Sequence, residues 1–370
     1  IVVANLNFQM WSDALSAHLA FADLHLPATV EIIYFVIEEK GHRSSTVVMP
    51  RPSATRAKTN FNEDLHRVRV ISGRTLSNPD FSDSRVSDKL ATVVNLQTRV
   101  QLFDPDAPVR YQLYAAVDSA YRFNSHWTMQ SSLAFNLQQN FDESNRRETD
   151  SVLPPVRTDI VKYLDDGATR VNKLALQGRF SIGRGLHARV VSGVLEQMYS
   201  GVATELLYWP AQSRIAYGAS LAYVKKRDYD GGLGLQDYSA MTGFVSAFYA
   251  SDFYDYDFGV HVGQYLAEDK GVTFEVRRTF RNGWQIGVWG TLTDVSSEDF
   301  GEGSFDKGFY FQVPLSSLFG SNSGRSNFTS RLRPIQRDGG QRLEGLSGDI
   351  FWDLREARAD SFRIDTRLAP

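Results

Sequence analysis

The sequence predicts an all-β protein, a transmembrane antiparallel β-barrel of roughly 12–14 strands, with a small N-terminal α/β subdomain of β-α-β-β order. Three observations carry that prediction. From about residue 92 the hydrophobic period is two, and it stays two as far as about residue 335. The two faces so created differ in kind. One is apolar with aromatics toward the strand ends; the other holds Gly, Ala, Ser, Thr and Gln with scattered charges. A half-buried soluble sheet would instead wet its polar face with Lys, Glu and Thr. The connections alternate between short and long, as periplasmic turns and outer loops do in membrane barrels.

Residues 1–6 read as a short strand. Asn7 can cap a helix in which Phe8, Trp11, Leu15, Leu19 and Ala22 recur at helical spacing, and Pro27 ends it. Stretches 29–38 and 43–49 form a hairpin over Lys40-Gly41. Residues 1–50 are therefore expected to be a periplasmic α/β unit. His18 and His25 lie on the helix with no acidic or histidine partner one turn on, so they read as solvated side chains rather than metal ligands. Residues 51–91 are polar, carry the breakers Pro52, Gly73 and Pro79, and read as a linker.

The barrel is assigned to residues 92–335. Its first strands are 93–103, 111–123 and 127–137. After a long connection come 174–182 and 186–194, where Lys173, Gln177, Arg179, His187 and Arg189 share the face opposite Leu174, Leu176, Phe180, Leu186 and Val190. Strand 202–209 carries Glu205 on its polar face. In 213–226, Ile215, Tyr217, Leu221 and Tyr223 oppose Arg214, Ala216, Gly218 and Ser220. Strand 242–250 precedes 256–266, which sets Tyr256, Phe258, Val260 and Val262 against Asp257, Gly259, His261 and Gly263. Strand 272–280 sets Val272, Phe274 and Val276 against Thr273, Glu275 and Arg277, and a turn at Arg281-Asn282 leads into 284–292. Strands 308–315 and 327–333 complete the set. Residues 336–370, with Arg355, Glu356, Arg358 and Asp360, read as a charged tail. If the apolar face meets lipid, an arginine at Val260 costs roughly 2–4 kcal/mol near the midplane, and an arginine at Gly259 is expected to be better tolerated.

Cysteine is absent, which removes disulfides, thiolate metal sites and a cysteine nucleophile. A net charge of −3 and a pI near 6.2 argue against a general nucleic-acid binder. No apolar stretch reaches the roughly 18 residues of a membrane helix, which leaves a barrel untouched. The chain opens at Ile1 without a charged leader or cleavage site and reads as a fragment or mature form.

Residues 183–188 fit a loose dinucleotide-binding pattern, but alternating stretches flank both sides, so a hairpin turn is expected. Asp228-Tyr-Asp230-Gly231 and residues 298–303 resemble pieces of calcium loops without the full ligand spacing. No nucleophile elbow, His-Glu-x-x-His or Walker sequence occurs. Residues 153–164, around Pro154-Pro155, are expected to form a short helix that folds into the barrel as a plug. No catalytic, cofactor-binding or metal-binding residue is assigned, and the protein is not expected to be an enzyme. The candidate lumen residues are Lys173, Arg179, Arg189, Glu205, His261, Glu275 and Arg277. Charges on such a face either pair with one another or bind a charged polymer.

Several ordered stretches resemble the YjbH family of outer-membrane exopolysaccharide and capsule biogenesis proteins. They are Leu153-Pro-Pro-Val-Arg-Thr-Asp159; Leu195-Glu-Gln-Met-Tyr-Ser-Gly201 with Glu205-Leu-Leu-Tyr-Trp-Pro210; Gly263-Gln-Tyr-Leu-Ala-Glu-Asp-Lys-Gly271; Phe300-Gly-Glu-Gly-Ser-Phe-Asp-Lys-Gly308; and Arg337-Asp-Gly-Gly340. The resemblance implies the C-terminal part of such a protein, in the outer membrane of a Gram-negative bacterium, assisting export or assembly of an exopolysaccharide or capsule. It implies exopolysaccharide, outer-membrane lipid, an upstream barrel half and other secretion proteins as partners, with no nucleic acid and no cofactor. The seven lumen residues become polysaccharide contacts under it. Two other functions stand beside this one: a structural or adhesin-like barrel with a closed lumen, and an outer-membrane enzyme modifying polysaccharide or lipid. A tightly filled lumen favours the first, and a carboxylate pair about 5–9 Å apart in a cleft favours the second.

Overall fold

The computed structural model describes residues 2–4, 22, 24–27, 29–40, 42–50, 69–72, 89–102, 108–141, 152–164, 170–280, 282–300, 305–315, 326–334, 337–355 and 357–358. Strands β1 (Val2–Ala4), β2 (Ile32–Glu39), β3 (His42–Pro50) and β4 (Arg69–Ser72) form a four-stranded sheet in that order. β1 runs parallel to β2, and the other pairs are antiparallel. Of the α/β unit expected over residues 1–50, the sheet is described. The helix lies outside the described residues except at its end, where the Leu26 N–H donates to the Ala22 carbonyl at 2.9 Å just before Pro27. β4 falls in the stretch expected to be linker. It is strand because it pairs with β3, from Ser45↔Ser72 to Val48↔Arg69.

Thirteen further strands close into a barrel. They are β5 (Leu90–Leu102), β6 (Val109–Arg122), β7 (Trp127–Gln139), β8 (Arg170–Gly183), β9 (Leu186–Val194), β10 (Tyr199–Tyr208), β11 (Ile215–Arg227), β12 (Leu235–Ala250), β13 (Tyr256–Gln264), β14 (Lys270–Thr279), β15 (Gln285–Thr293), β16 (Asp306–Pro314) and β17 (Asn327–Arg333). The expectation of a purely antiparallel barrel needs one correction. β17 pairs with β5 in parallel, from Phe328↔Leu96 to Arg333↔Gln101. The reason is parity: with strands alternating in direction, an odd number makes the first and last run the same way.

The connections fall on two rims. One carries the tight turns at 123–126, 184–185, 209–214, 251–255 and 280–284 together with the longer connection 315–326; the other carries the long connections 140–169 and 294–305 together with the shorter 103–108, 195–198, 228–234 and 265–269. The turn at Gly183-Arg184-Gly185 has positive φ at all three residues, 111°, 52° and 82°. A Cβ at Gly185 would collide with the Trp209 carbonyl, which explains the glycine there. The motif is a hairpin turn, not a phosphate cradle.

Alternation sorts the side chains as the pleat requires. Val245 is 70% exposed on the outside, whereas His261 and Thr273 are fully buried inside. Tyr208 pairs with Tyr217, and Tyr249 with Phe258, on the outer face near the tight-turn rim, where Phe253, Tyr254 and Trp284 are also exposed. The inner position Gly259 does not offer the room expected of it. A Cβ there would lie 3.3–3.4 Å from His261, Phe248 and Trp352.

The lumen is occupied on one side. Among the described residues after the N-terminal sheet, short helices α1 (Ile160–Leu164), α2 (Ser297–Phe300) and α3 (Ile350–Arg355) lie in the connections and the C-terminal segment. Residues 337–358, expected as a charged tail, enter at the long-connection rim and pass down the inside. Asp338 there meets the 156–158 backbone, and at the other rim Arg358 donates to the carbonyls of Pro210, Ala211 and Ser213. Their charges find partners inside: Arg355 donates to Asp257 at 2.8 Å. The tail charges are thus complementary to the polar face of the strands, which no local pattern reveals.

Two apolar layers hold this segment. Toward the long-connection rim, Val156, Ile160, Tyr163 and Leu164 pack with Met198, Tyr199, Val224, Leu343 and Leu346. Toward the other, Ile350, Phe351 and Leu354 pack with Trp209, Ala216 and Phe248, the Phe248 and Phe351 rings stacked at 4.4 Å. Each such side chain contributes about 1.5–3 kcal/mol by burial, so α3 is part of the core although two of its six residues are charged.

Candidate functional site: a polar passage beside the C-terminal segment

The seven candidate residues divide into two groups. Arg179, Arg189, Glu205 and His261 are buried under the C-terminal segment and grip it. Arg189 pairs with Glu205 and donates to the Gly345 carbonyl at 2.9 Å, while Glu205 accepts from the Ile350 N–H at 2.9 Å. Arg179 donates to Asp353 at 2.9 Å, and Lys40, from the β2–β3 hairpin, meets the same carboxylate at 2.6 Å. The hairpin also docks through the Arg43 N–H on Ser181 Oγ at 2.8 Å and Ser44 Oγ on the Ala357 carbonyl at 2.9 Å. N-terminal sheet, barrel wall and C-terminal segment therefore meet at the tight-turn rim.

His261 joins a chain of polar contacts: Ser246 Oγ lies 2.8 Å from His261 Nδ1, and His261 Nε2 lies 3.6 Å from Glu275. The residue types are those of a hydrolase relay, but Gly348 of the C-terminal segment sits directly over the imidazole and Ser246 is buried. Glu275 also accepts from Arg342 at 3.3 Å, so the chain tethers the segment to β13 and β14.

Lys173, Glu275 and Arg277 belong to the second group, which faces open space. The C-terminal segment packs mainly against β9–β13 and leaves a polar cavity of about 740 Å³, the passage, along the rest of the wall. It is lined at the tight-turn rim by Gln285 and Asn327, the first residues of their strands, and at the other by Thr291, Asp306 and Arg333. Trp289, Tyr310 and Trp352 give it aromatic surface, and the Arg277 guanidinium lies 5.3 Å from the Trp352 ring centre. Its acids and bases are largely matched. Arg333 meets Asp306 at 3.0 Å, and Arg331 meets Glu344 at 3.0 Å.

Reasoning from the strand pattern missed Asp306, Arg331, Arg333, Arg342, Glu344 and Asp353. Those on the C-terminal segment were hidden by its reading as a tail. The apolar triplet Ile350-Phe351-Trp352 inside that charged stretch is the signal that could have exposed it. The helix expected after Pro154-Pro155 is α1, buried at the long-connection rim, where Asp159 pairs with Lys226 and Arg157 with Glu196.

A closed β-barrel whose lumen is divided between an inserted C-terminal segment and a polar passage is the class of protein these features define. The chain belongs to the family described as exopolysaccharide biosynthesis protein YbjH, whose profile matches residues 1–354. This is the family the quoted stretches resemble. A protein of Escherichia coli (strain K12) described as an uncharacterized lipoprotein, YjbH, is 37% identical over 265 residues, 70% of this chain. The chain spans 37% of that relative's length. Among solved structures, Salmonella typhi OmpF in complex with daunomycin aligns over 60% of this chain and 84% of that one, with a TM-score of 0.33 and 12% identity.

Proposed function

We propose that the chain is an outer-membrane barrel of a Gram-negative bacterium that assists export or assembly of an exopolysaccharide or capsule. In this reading the polymer occupies the passage between the C-terminal segment and the β14–β17 and β5–β7 walls. The observation that carries it is that passage: polar, furnished with aromatic rings, and lined by residues from both rims. Family membership and the apolar outer face support it. The tight-turn rim with its N-terminal sheet faces the periplasm, as short turns do in such barrels. Outer-membrane lipid covers the outer face, and other secretion proteins or further parts of a longer chain act beside it. The reading assigns no catalysis, because Ser246 and His261 lie beneath Gly348, closed off from the passage that Glu275 lines.

The packed β9–β13 half of the lumen favours a second reading, a structural barrel with a closed lumen. Cysteine accessibility separates the two, and the native chain is cysteine-free. Thr329→Cys lies on the passage wall and Ala203→Cys under the C-terminal segment. Reconstituted in planar bilayers, the Thr329→Cys variant should conduct, and a charged thiol reagent should reduce its current while leaving the Ala203→Cys variant unchanged. A silent bilayer with no labelling at Thr329→Cys would replace the conduit by the structural barrel.

A further inference from the structure

The parallel seam sets Arg331 of β17 opposite Arg99 of β5, and Tyr310 of β16 opposite Arg331. Tyr310, Arg331 and Arg99 thus form one row across three neighbouring strands. Like charges directly opposite one another destabilise a sheet unless something neutralises them. Here the neutralising group is Glu344, 3.0 Å from Arg331. Its carboxylate feels the positive charge of Arg331 most, then those of Arg157, Arg99 and Arg333. Arg157 and Arg333 have acids of their own, Glu196 and Asp306. Arg99 does not: one nitrogen donates to Gln197 at 3.2 Å, and Nη1 is buried with no hydrogen-bond partner. Two guanidiniums therefore share one carboxylate.

That carboxylate is presented by a turn rather than by a packed element. Gly345 follows it with φ 69°, and a Cβ at Gly345 would meet nothing within 4 Å. Arg331 and Glu344 are each 49% exposed to the passage, unlike Arg189 and Glu205 at 4% each. The two ion pairs are built for different tasks: one is sealed, and the other is open to exchange.

We propose that Arg331, with the charge of Arg99 behind it across the seam, binds the carboxylate of an acidic saccharide, a uronate, which takes the place of Glu344 while its ring lies against Tyr310. A planar guanidinium fork matches a carboxylate bidentately, and an aromatic face accepts the C–H side of a sugar ring. The inference rests on the passage being a polymer path, and it narrows the polymer to one that carries carboxylates.

The test uses the full chain in planar bilayers, with trigalacturonate, maltotriose and inorganic phosphate as probes. Trigalacturonate should block the current at about one-tenth the concentration that maltotriose requires. Glu344→Gln removes the internal competitor and should lower the blocking concentration several-fold. Arg331→Lys keeps the charge but loses the fork, and should erase most of the preference without preventing folding. Equal block by the charged and neutral sugars, unmoved by Glu344→Gln and Arg331→Lys, would overturn the uronate site and leave the conduit standing. Phosphate blocking as well as trigalacturonate would reduce the site to a simple anion site and overturn the saccharide. Conduction with no block by either sugar would instead count against the polymer path itself.

Discussion

Asp338 shows how single side chains hold the inserted segment. One of its oxygens accepts from the backbone N–H groups of Val156, Arg157 and Thr158 at 2.7–3.0 Å, and the other from the Thr158 hydroxyl at 2.7 Å. Replacing it by Ala strands buried donors, so Asp338→Ala should cost at least about 1–3 kcal/mol, read as a lower unfolding midpoint in detergent. Arg179 and Arg277, which share a face in sequence, separate in the structure. Arg179→Gln removes one of three cations around Asp353, leaving Lys40 at 2.6 Å and the buried Arg189 at 3.8 Å, and should destabilise by about 1–3 kcal/mol. Arg277→Gln lies on the passage and should change conductance more than stability. Calorimetry and bilayer currents on the two single variants check the contrast. Val260→Arg should still cost roughly 2–4 kcal/mol near a midplane, but Gly259→Arg should also fail, because His261, Phe248 and Trp352 already fill that space. Folding into lipid vesicles measures both.

At the scale of elements, the strands were legible and the segments between and after them were only partly so. Ile215, Tyr217, Leu221 and Tyr223 announce an outward face because alternation is a local property. The insertion of residues 337–358 is not local. Its warrant is the match between Arg355 and Asp257, or Asp353 and Arg179, residues far apart in the chain. The same holds for the passage: strand periodicity found Lys173, Glu275 and Arg277, whereas Asp353 and Glu344 required knowing where the segment lies. The N-terminal sheet offers a pH test. Neither ring nitrogen of His42 has a hydrogen-bond partner, and its ring packs edge-on to His187 at 5.4 Å. Burial, then the positive charges of Arg179 and His187, hold His42 well below the usual histidine range; Arg189 adds to this and Asp353 opposes it. A depressed histidine stabilises the docked sheet above its unfolded pKa of about 6.5, and that contribution is lost as pH falls through the range below it. The unfolding midpoint should therefore drop between about pH 7.5 and about pH 5, and less so in His42→Phe.

For the molecule as a whole, the count of strands matters more than their individual sequences. The odd number sends β5 and β17 in the same direction, so the chain enters the barrel at one rim and leaves at the other. The inserted segment then carries it back to the rim where it began, beside the β2–β3 hairpin. Periodicity can count strands to within one or two, but it cannot settle parity, and parity decides whether the closing pair is parallel. That closing pair also sets a chronology. Every other junction in the ring joins strands that follow one another along the chain, while Thr98 and Ser330, bonded at 2.7 Å across the seam, are separated by 232 positions. The entropy of drawing such distant ends together should make this the last step of closure. Until then the barrel is a curled open sheet, and its inner face is reachable from the side. The C-terminal segment follows β17 directly, so it can settle onto β9–β13 before the gap shuts and hold the sheet curled while the two edges find each other. Weakening its grip should then slow assembly more than it lowers final stability, a difference that the time course of heat-modifiable migration in Asp338→Ala would record.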